Sequence, residues 1–155
     1  IEFENPHQAI IFCNTKDRVF YVTSVLQRFG YNADQLSSDL SQSVRDEVLQ
    51  RLRDGRLRFL VATDVAARGI DVPALSHVIQ YEPSEDLEAY IHRAGRTGRA
   101  GAAGTAIMLL SLQEKRSLVR ISAQYNIQFE ERSLPKDEDV IEFAELTARS
   151  MELRR

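Results

Sequence analysis

The sequence predicts an α/β domain, a three-layer fold whose mostly parallel sheet is covered by helices on both faces. Three observations carry that expectation. Short apolar runs alternate along the chain with longer runs of helical period, the alternation that a parallel sheet with helical crossovers requires. The strong strand candidates are apolar at nearly every position, as strands buried on both faces must be. At 155 residues the chain can bury one such core.

The elements follow in order. "QAIIFC" (8–13) is apolar and too short for a helix, so it reads as a buried strand. From Thr15 to Phe29, Val19, Val22, Val25, Leu26 and Phe29 fall at helical spacing, and Gly30 ends the run. "YNADQL" is a weaker strand. Ser41 is placed to cap a helix that carries Val44, Val48, Leu49 and Leu52 on one face and closes at Asp54-Gly55. "RFLVAT" (58–63) and "HVIQY" (77–81) are further strands, and a helix from about Asp86 leads into an arginine-rich segment. "GTAIMLL" (104–110) reads as a strand, 112–125 as a helix and "IQFEER" (127–132) as a last strand. Pro135 followed by "KDED" marks a boundary, so residues 1–134 are expected to form the domain and 135–155 a charged C-terminal helical extension.

Composition narrows the class. With 43% apolar and 28% charged residues the chain is an ordinary globular one. It has no apolar run of 18 residues to span a membrane, and its first residues lack a signal-peptide pattern. The single cysteine, Cys13, has no partner for an internal disulfide; a buried thiol in a reducing, cytoplasmic setting is the expectation. A formal charge of -3 excludes a generic polycation that coats nucleic acid, but not a local basic surface.

Such a local surface is what "YIHRAGRTGRAG" (90–101) suggests. Arg93, Arg96 and Arg99 recur every three residues with Gly95, Gly98 and Gly101 between them. Guanidinium groups are planar, permanently charged donors that match phosphate oxygens two at a time. Neighbouring glycines let a backbone come close to a ligand or another domain. The pattern fits arginine fingers acting on a transferring phosphoryl group, with a solvated basic loop or intrachain salt bridges as the alternative. In a parallel α/β sheet, ligands bind beyond the carboxyl ends of the strands. "NTKD", "ATDVAARGIDVP" and the arginine segment are expected to converge there. Other chemistries lack their parts: the sequence has no GxxxxGK[ST], no Gly-Lys pair, no GxGxxG opening a helix and no GxSxG. His7, His77 and His92 are too scattered for a zinc site, so no metal ligand is assigned. At most half a nucleotide site is present.

On these residues the chain resembles the DEAD-box RNA helicases. "HRAGRTGR" (92–99) matches their motif VI and "ATDVAARGIDVP" (62–73) their motif V. "AIIFCNTK" (9–16) is similar to motif IV and "SDLSQSVRD" (38–46) to the motif IVa region. The order and separations cover most of residues 9–110, and the chain looks like the second, C-terminal RecA-like domain of such an enzyme. The resemblance implies that Arg96 and Arg99 are fingers reaching ATP held, with Mg²⁺, by an N-terminal RecA-like domain. It implies that His92 and Arg93 help form the interface between domains and that Arg68 pairs across the closed cleft. Asp71 would contact the ATP ribose, and Gly69 would set backbone shape beside it. Thr63, Gln42 and Arg45, with Thr15 and Lys16, would touch the RNA sugar-phosphate backbone.

Each role has a plainer rival: Gln42 and Arg45 solvated, Asp71 capping the next turn, Thr63 satisfying a backbone group. Two departures stand out. Ser37-Ser38 replaces the usual His-Gly before Asp39, and only "IEFEN" precedes motif IV, so the domain looks truncated at its N-terminus. The expected activity is RNA-dependent ATP hydrolysis with local duplex unwinding by the full-length protein, this fragment alone being inactive. A DNA helicase or translocase of the same superfamily and a non-catalytic RNA-binding module are the alternatives.

Overall fold

A computed structural model describes residues 1–142 apart from 73, 74, 85 and 100. Between residues 9 and 125 five strands and five helices alternate strictly: β1 (Ala9–Phe12), α1 (Lys16–Arg28), β2 (Ala33–Leu36), α2 (Gln42–Arg53), β3 (Phe59–Ala62), α3 (Asp64–Ala67), β4 (His77–Gln80), α4 (Leu87–Ala94), β5 (Thr105–Met108) and α5 (Lys115–Tyr125). The strands form one sheet in the order β2-β3-β1-β4-β5, every neighbouring pair parallel. Because parallel neighbours need crossovers, each connection carries its helix to a face of the sheet.

The apolar runs account for the two cores. Alternate residues of a strand point to opposite faces. Ile10 and Phe12 of β1 and Leu60 and Ala62 of β3 pack with Val48, Leu49 and Leu52 of α2 and with Ala66 and Ala67 of α3. Ala9, Ile11, Phe59 and Val61, facing the other way, pack with Val19, Val22 and Leu26 of α1. A run apolar at every position is thus consumed by two helical layers at once. The helix ends follow the expected chemistry. The Thr15 hydroxyl accepts from the Arg18 N–H and that of Ser41 from the Val44 N–H, capping α1 and α2. Gly30 and Gly55, both at positive φ, close the same two helices.

Three expectations are corrected. The strand expected at 104–110 forms, as β5, but at an edge of the sheet, as β2 does at the other, and Thr105 and Ala106 are exposed, so it is not sandwiched like β1 and β3. α5 starts at Lys115 because the Glu114 carboxylate folds back onto the Ser111 N–H and hydroxyl, making a turn of 112–114. Residues 127–132 are no strand. Asn126 turns the chain in the left-handed region, and Phe129 then packs edge-on against Tyr90 of α4 instead of joining the sheet. Of the expected extension at 135–155, residues 137–142 are helical, the Asp139 carboxylate accepting from the Lys136 N–H at its start; residues 143–155 lie outside the described ones.

Candidate nucleic-acid interface and arginine segment

The sheet order puts the carboxyl ends of β2, β3 and β1 side by side, so the segments leaving them line one edge. Thr15 and Lys16 leave β1, Gln42 and Arg45 stand in the first turn of α2 beyond β2, and Thr63 follows β3. The N-termini of α1 and α2 open onto this edge, where unpaired backbone N–H groups favour anions. Thr15 and Thr63 are both N-caps: their oxygens accept from the Arg18 N–H (3.2 Å) and the Ala66 N–H (3.3 Å). Capping occupies an acceptor only, so each hydroxyl proton stays available to a phosphate oxygen.

The other side chains at this edge are partly committed. Lys16 Nζ lies 2.5 Å from Asp39 Oδ1, joining the segments beyond β1 and β2 across the end of β3. Gln42 donates to Asp46 (2.8 Å). Arg45 is not simply solvated: its guanidinium donates to the Ala66 carbonyl at 2.6 Å and buttresses α3 from α2. It has no carboxylate partner among the described residues.

The arginine segment divides. α4 begins beyond the carboxyl end of β4 and runs back along the sheet, so Thr97 pairs with Leu75 at the amino end of that strand. The Thr97 hydroxyl donates to the Leu75 carbonyl (2.5 Å) and fixes the return. Gly104 packs against it so closely that a Cβ there would sit 2.0 Å from Thr97 Oγ1 and 2.5 Å from the Gly98 nitrogen. Arg96 and Arg99 therefore do not share the edge of Thr15 and Thr63, as a convergence of all three loops would require; they lie beyond the helix that starts there. Arg96 donates to the Ile70 carbonyl (3.0 Å), close to Arg68, Gly69 and Asp71, and Arg53 supports the Asp71 carbonyl (3.1 Å). Gly69 takes φ 70°, which a side chain would strain, and is the backbone pivot of that stretch.

Arg68 and Arg99 are exposed and Arg96 is half-buried, and none has a carboxylate partner among the described residues. Partial burial, then the neighbouring Arg99, pushes the Arg96 guanidinium below its usual value, although arginine stays charged at neutral pH. Two like charges held together without an acid form a site that an anion would relieve. His92 is exposed and lies 3.8 Å from Glu88 one turn back. The Asp71 carboxylate is exposed and caps nothing among the described residues.

Arg93 is the correction. The resemblance places it in the interface between domains, yet it is only 1% exposed. Helical side chains lean toward the helix N-terminus, which carries its guanidinium back to the carboxyl edge. There it lies over the Phe12 ring, 5.3 Å from its centroid. Nε and Nη2 clasp Asp64 at 2.7 and 2.6 Å, Nη2 also reaches Asn14 (2.8 Å), and Nη1 donates to the Glu82 carbonyl (2.8 Å) and Gln80 (3.3 Å). A guanidinium has five N–H donors and all of Arg93's are spent inside this chain. Asn14, Asp64 and Gln80 were not singled out from the sequence. Gln80, polar at the end of a buried strand, was the available signal.

Comparison with known proteins gives a consistent answer. Residues 1–101 match the family model described as the helicase conserved C-terminal domain. ATP-dependent RNA helicase DeaD of Buchnera aphidicola subsp. Baizongia pistaciae is 46% identical over 138 residues, 89% of this chain and 23% of that protein. RNA helicase CrhR of Synechocystis is 45% identical over 140 residues, 90% of this chain and 28% of that protein. The chain thus spans about a quarter of the length of these relatives. Among solved structures, the E. coli DEAD-box protein SrmB bound to regulator of ribonuclease activity A superposes with a TM-score of 0.75 at 37% identity, over 86% of this chain and 77% of that one.

Proposed function

This chain belongs to the helicase conserved C-terminal domain family, among the DEAD-box RNA helicases, and from that membership we propose that it is half of an RNA-dependent ATPase whose closure pulls short duplexes apart. The observation that carries the reading is the pair Arg96 and Arg99, charged, neighbouring and without a carboxylate partner among the described residues, while Arg93, just before the first of the glycines, is saturated.

The donor set suits a nucleoside triphosphate. Arg96 and Arg99 offer forked donors to phosphate oxygens, and the exposed Asp71 carboxylate offers an acceptor to a ribose hydroxyl. Arg68 and the exposed His92 face the N-terminal RecA-like domain. ATP would supply the cleavable phosphoanhydride, with Mg²⁺ held mainly by the N-terminal RecA-like domain, as the family resemblance implies. Arg96 and Arg99 neutralise charge that develops during phosphoryl transfer. Thr15, Lys16, Gln42, Arg45 and Thr63 grip the sugar-phosphate backbone without reading bases, and Lys16 exchanges Asp39 for a phosphate when RNA arrives. No described helix is long and apolar enough to cross a membrane, and a cytoplasmic setting suits the buried, unpaired Cys13.

The test is ATP hydrolysis by the full-length protein with RNA, with DNA and with neither, beside this chain alone. RNA-stimulated turnover in the full-length protein and none in the isolated chain is the expected result. Stimulation by DNA alone would move the protein to the DNA translocases, and no turnover at all would leave an RNA-binding module.

A further inference from the structure

We infer that Arg93 is the positioning residue through which RNA binding at the sheet edge controls the fingers, an inference that rests on the proposed function. Its contacts join the segments that follow β1, β3 and β4. Asn14 immediately precedes the α1 cap Thr15, and Asp64 immediately follows the α3 cap Thr63. Glu82 lies in the connection from β4 to α4, and its carboxylate also receives the Asn14 N–H at 2.8 Å. Arg93 itself is the penultimate residue of α4, and the turn that follows holds Arg96. One guanidinium therefore fastens two of the RNA-facing caps to the helix that leads into the fingers.

The chemistry makes this linkage stiff. All the N–H groups point to fixed acceptors, and the two bonds to Asp64 form a parallel fork that a rotation of either partner breaks. With the side chain buried over Phe12, little water can relax the geometry. A shift of the Thr15 or Thr63 backbone on gripping phosphate must therefore move Asn14 or Asp64, and with them α4. Asp64 is partly exposed, its side chain at 39%, so it stands where the edge and the buried guanidinium meet. The linkage needs no new contact between Arg93 and either ligand.

The test uses the full-length enzyme carrying Asn14→Ala, Asn14→Asp or Asp64→Asn, with ATP turnover measured across a titration of single-stranded RNA. Melting temperature and RNA affinity are measured on the same samples. Asn14→Ala removes the acceptor for Nη2, whereas Asn14→Asp keeps one. The expected result is a loss of RNA-stimulated kcat by roughly tenfold to a hundredfold in Asn14→Ala and Asp64→Asn, the size of a small misplacement of reacting groups. RNA affinity stays near wild type in all three variants, and melting temperature in the two Asn14 variants. Asp64→Asn, which leaves the buried Arg93 guanidinium without its counter-charge, melts lower. Asn14→Asp recovers most of the stimulation. Full stimulation in both weakened variants would overturn the coupling while leaving the helicase reading intact. So would a loss confined to RNA affinity with kcat unchanged. If Asp64→Asn melts below the assay temperature, the Asn14 pair decides alone. A wild-type enzyme that RNA does not stimulate would overturn the proposed function, and the coupling with it.

Discussion

Arg93 and Arg96 stand one helical turn apart in the same glycine-laced segment and do opposite things. Arg93 is almost wholly buried, with each N–H donor matched by an acceptor from β4 or from the segments after β1, β3 and β4. Arg96 leans on one carbonyl and, with Arg99, keeps most of its donors uncommitted among the described residues. The difference lies in the supply of acceptors. Where strand ends bring carboxylate, amide and carbonyl oxygens together, an arginine becomes a bolt; one turn further on, Arg96 has no carboxylate partner among the described residues and keeps donors open. A single motif therefore contains both a buried, saturated arginine and a partly open one.

The comparison is broken most severely by activity. In the full-length protein, Arg96→Ala or Arg99→Ala should lower RNA-stimulated ATP turnover by roughly 10³ to 10⁵, about 4 to 7 kcal/mol of barrier, with melting unchanged. Arg93→Ala should act on the fold. It empties a buried site and strands Gln80 and the Glu82 carbonyl, for about 3 kcal/mol of stability; the exposure of Asp64 keeps the cost near the low end for a broken buried pair. Chemical denaturation of the two sets of variants separates them. Gly104→Ala sharpens the picture from the other side of the segment. A methyl group driven against Thr97 and the Gly98 backbone should cost about 1 to 3 kcal/mol, read as a lower melting temperature.

Smaller effects are expected at the edge and in the core. Arg45→Ala should weaken RNA binding and reduce the slope of log affinity against log salt by about 0.7, one phosphate contact on a single strand. Cys13 is the counterpart to the open arginines. Burial, and then Glu82, pushes its thiol up to about 12, so it stays protonated and inert near neutrality. Since the folded value lies above the unfolded one, the stability this thiol contributes is complete below the unfolded value near 9.0 and is lost as pH rises toward 12. Alkylation with iodoacetamide at pH 8 should therefore track unfolding rather than proceed in the native chain.

Much of this was legible in the sequence because it is local. The cap Ser41, the stops Gly30 and Gly55 and the apolar runs of β1 and β3 are set by neighbours within a few residues. So was the choice of Arg96 and Arg99 as finger candidates, through the motif. The burial of Arg93 was not legible. Its acceptors lie 29 and 79 residues away, in Asp64 and Asn14, and meet only because β3, β1 and β4 are adjacent in the sheet. Residues 127–132 misled for a related reason: an alternating apolar pattern suits a strand, but Phe129 finds its partner on α4.

The division of labour is tested most directly by lysine at each position, which preserves charge and removes the fork. RNA-stimulated ATP turnover and thermal melting would be measured on full-length Arg93→Lys and Arg99→Lys. The account predicts opposite profiles: Arg99→Lys melts like wild type but hydrolyses ATP orders of magnitude more slowly, whereas Arg93→Lys melts at a clearly lower temperature. Near-normal turnover in Arg99→Lys, or wild-type melting in Arg93→Lys, would contradict it.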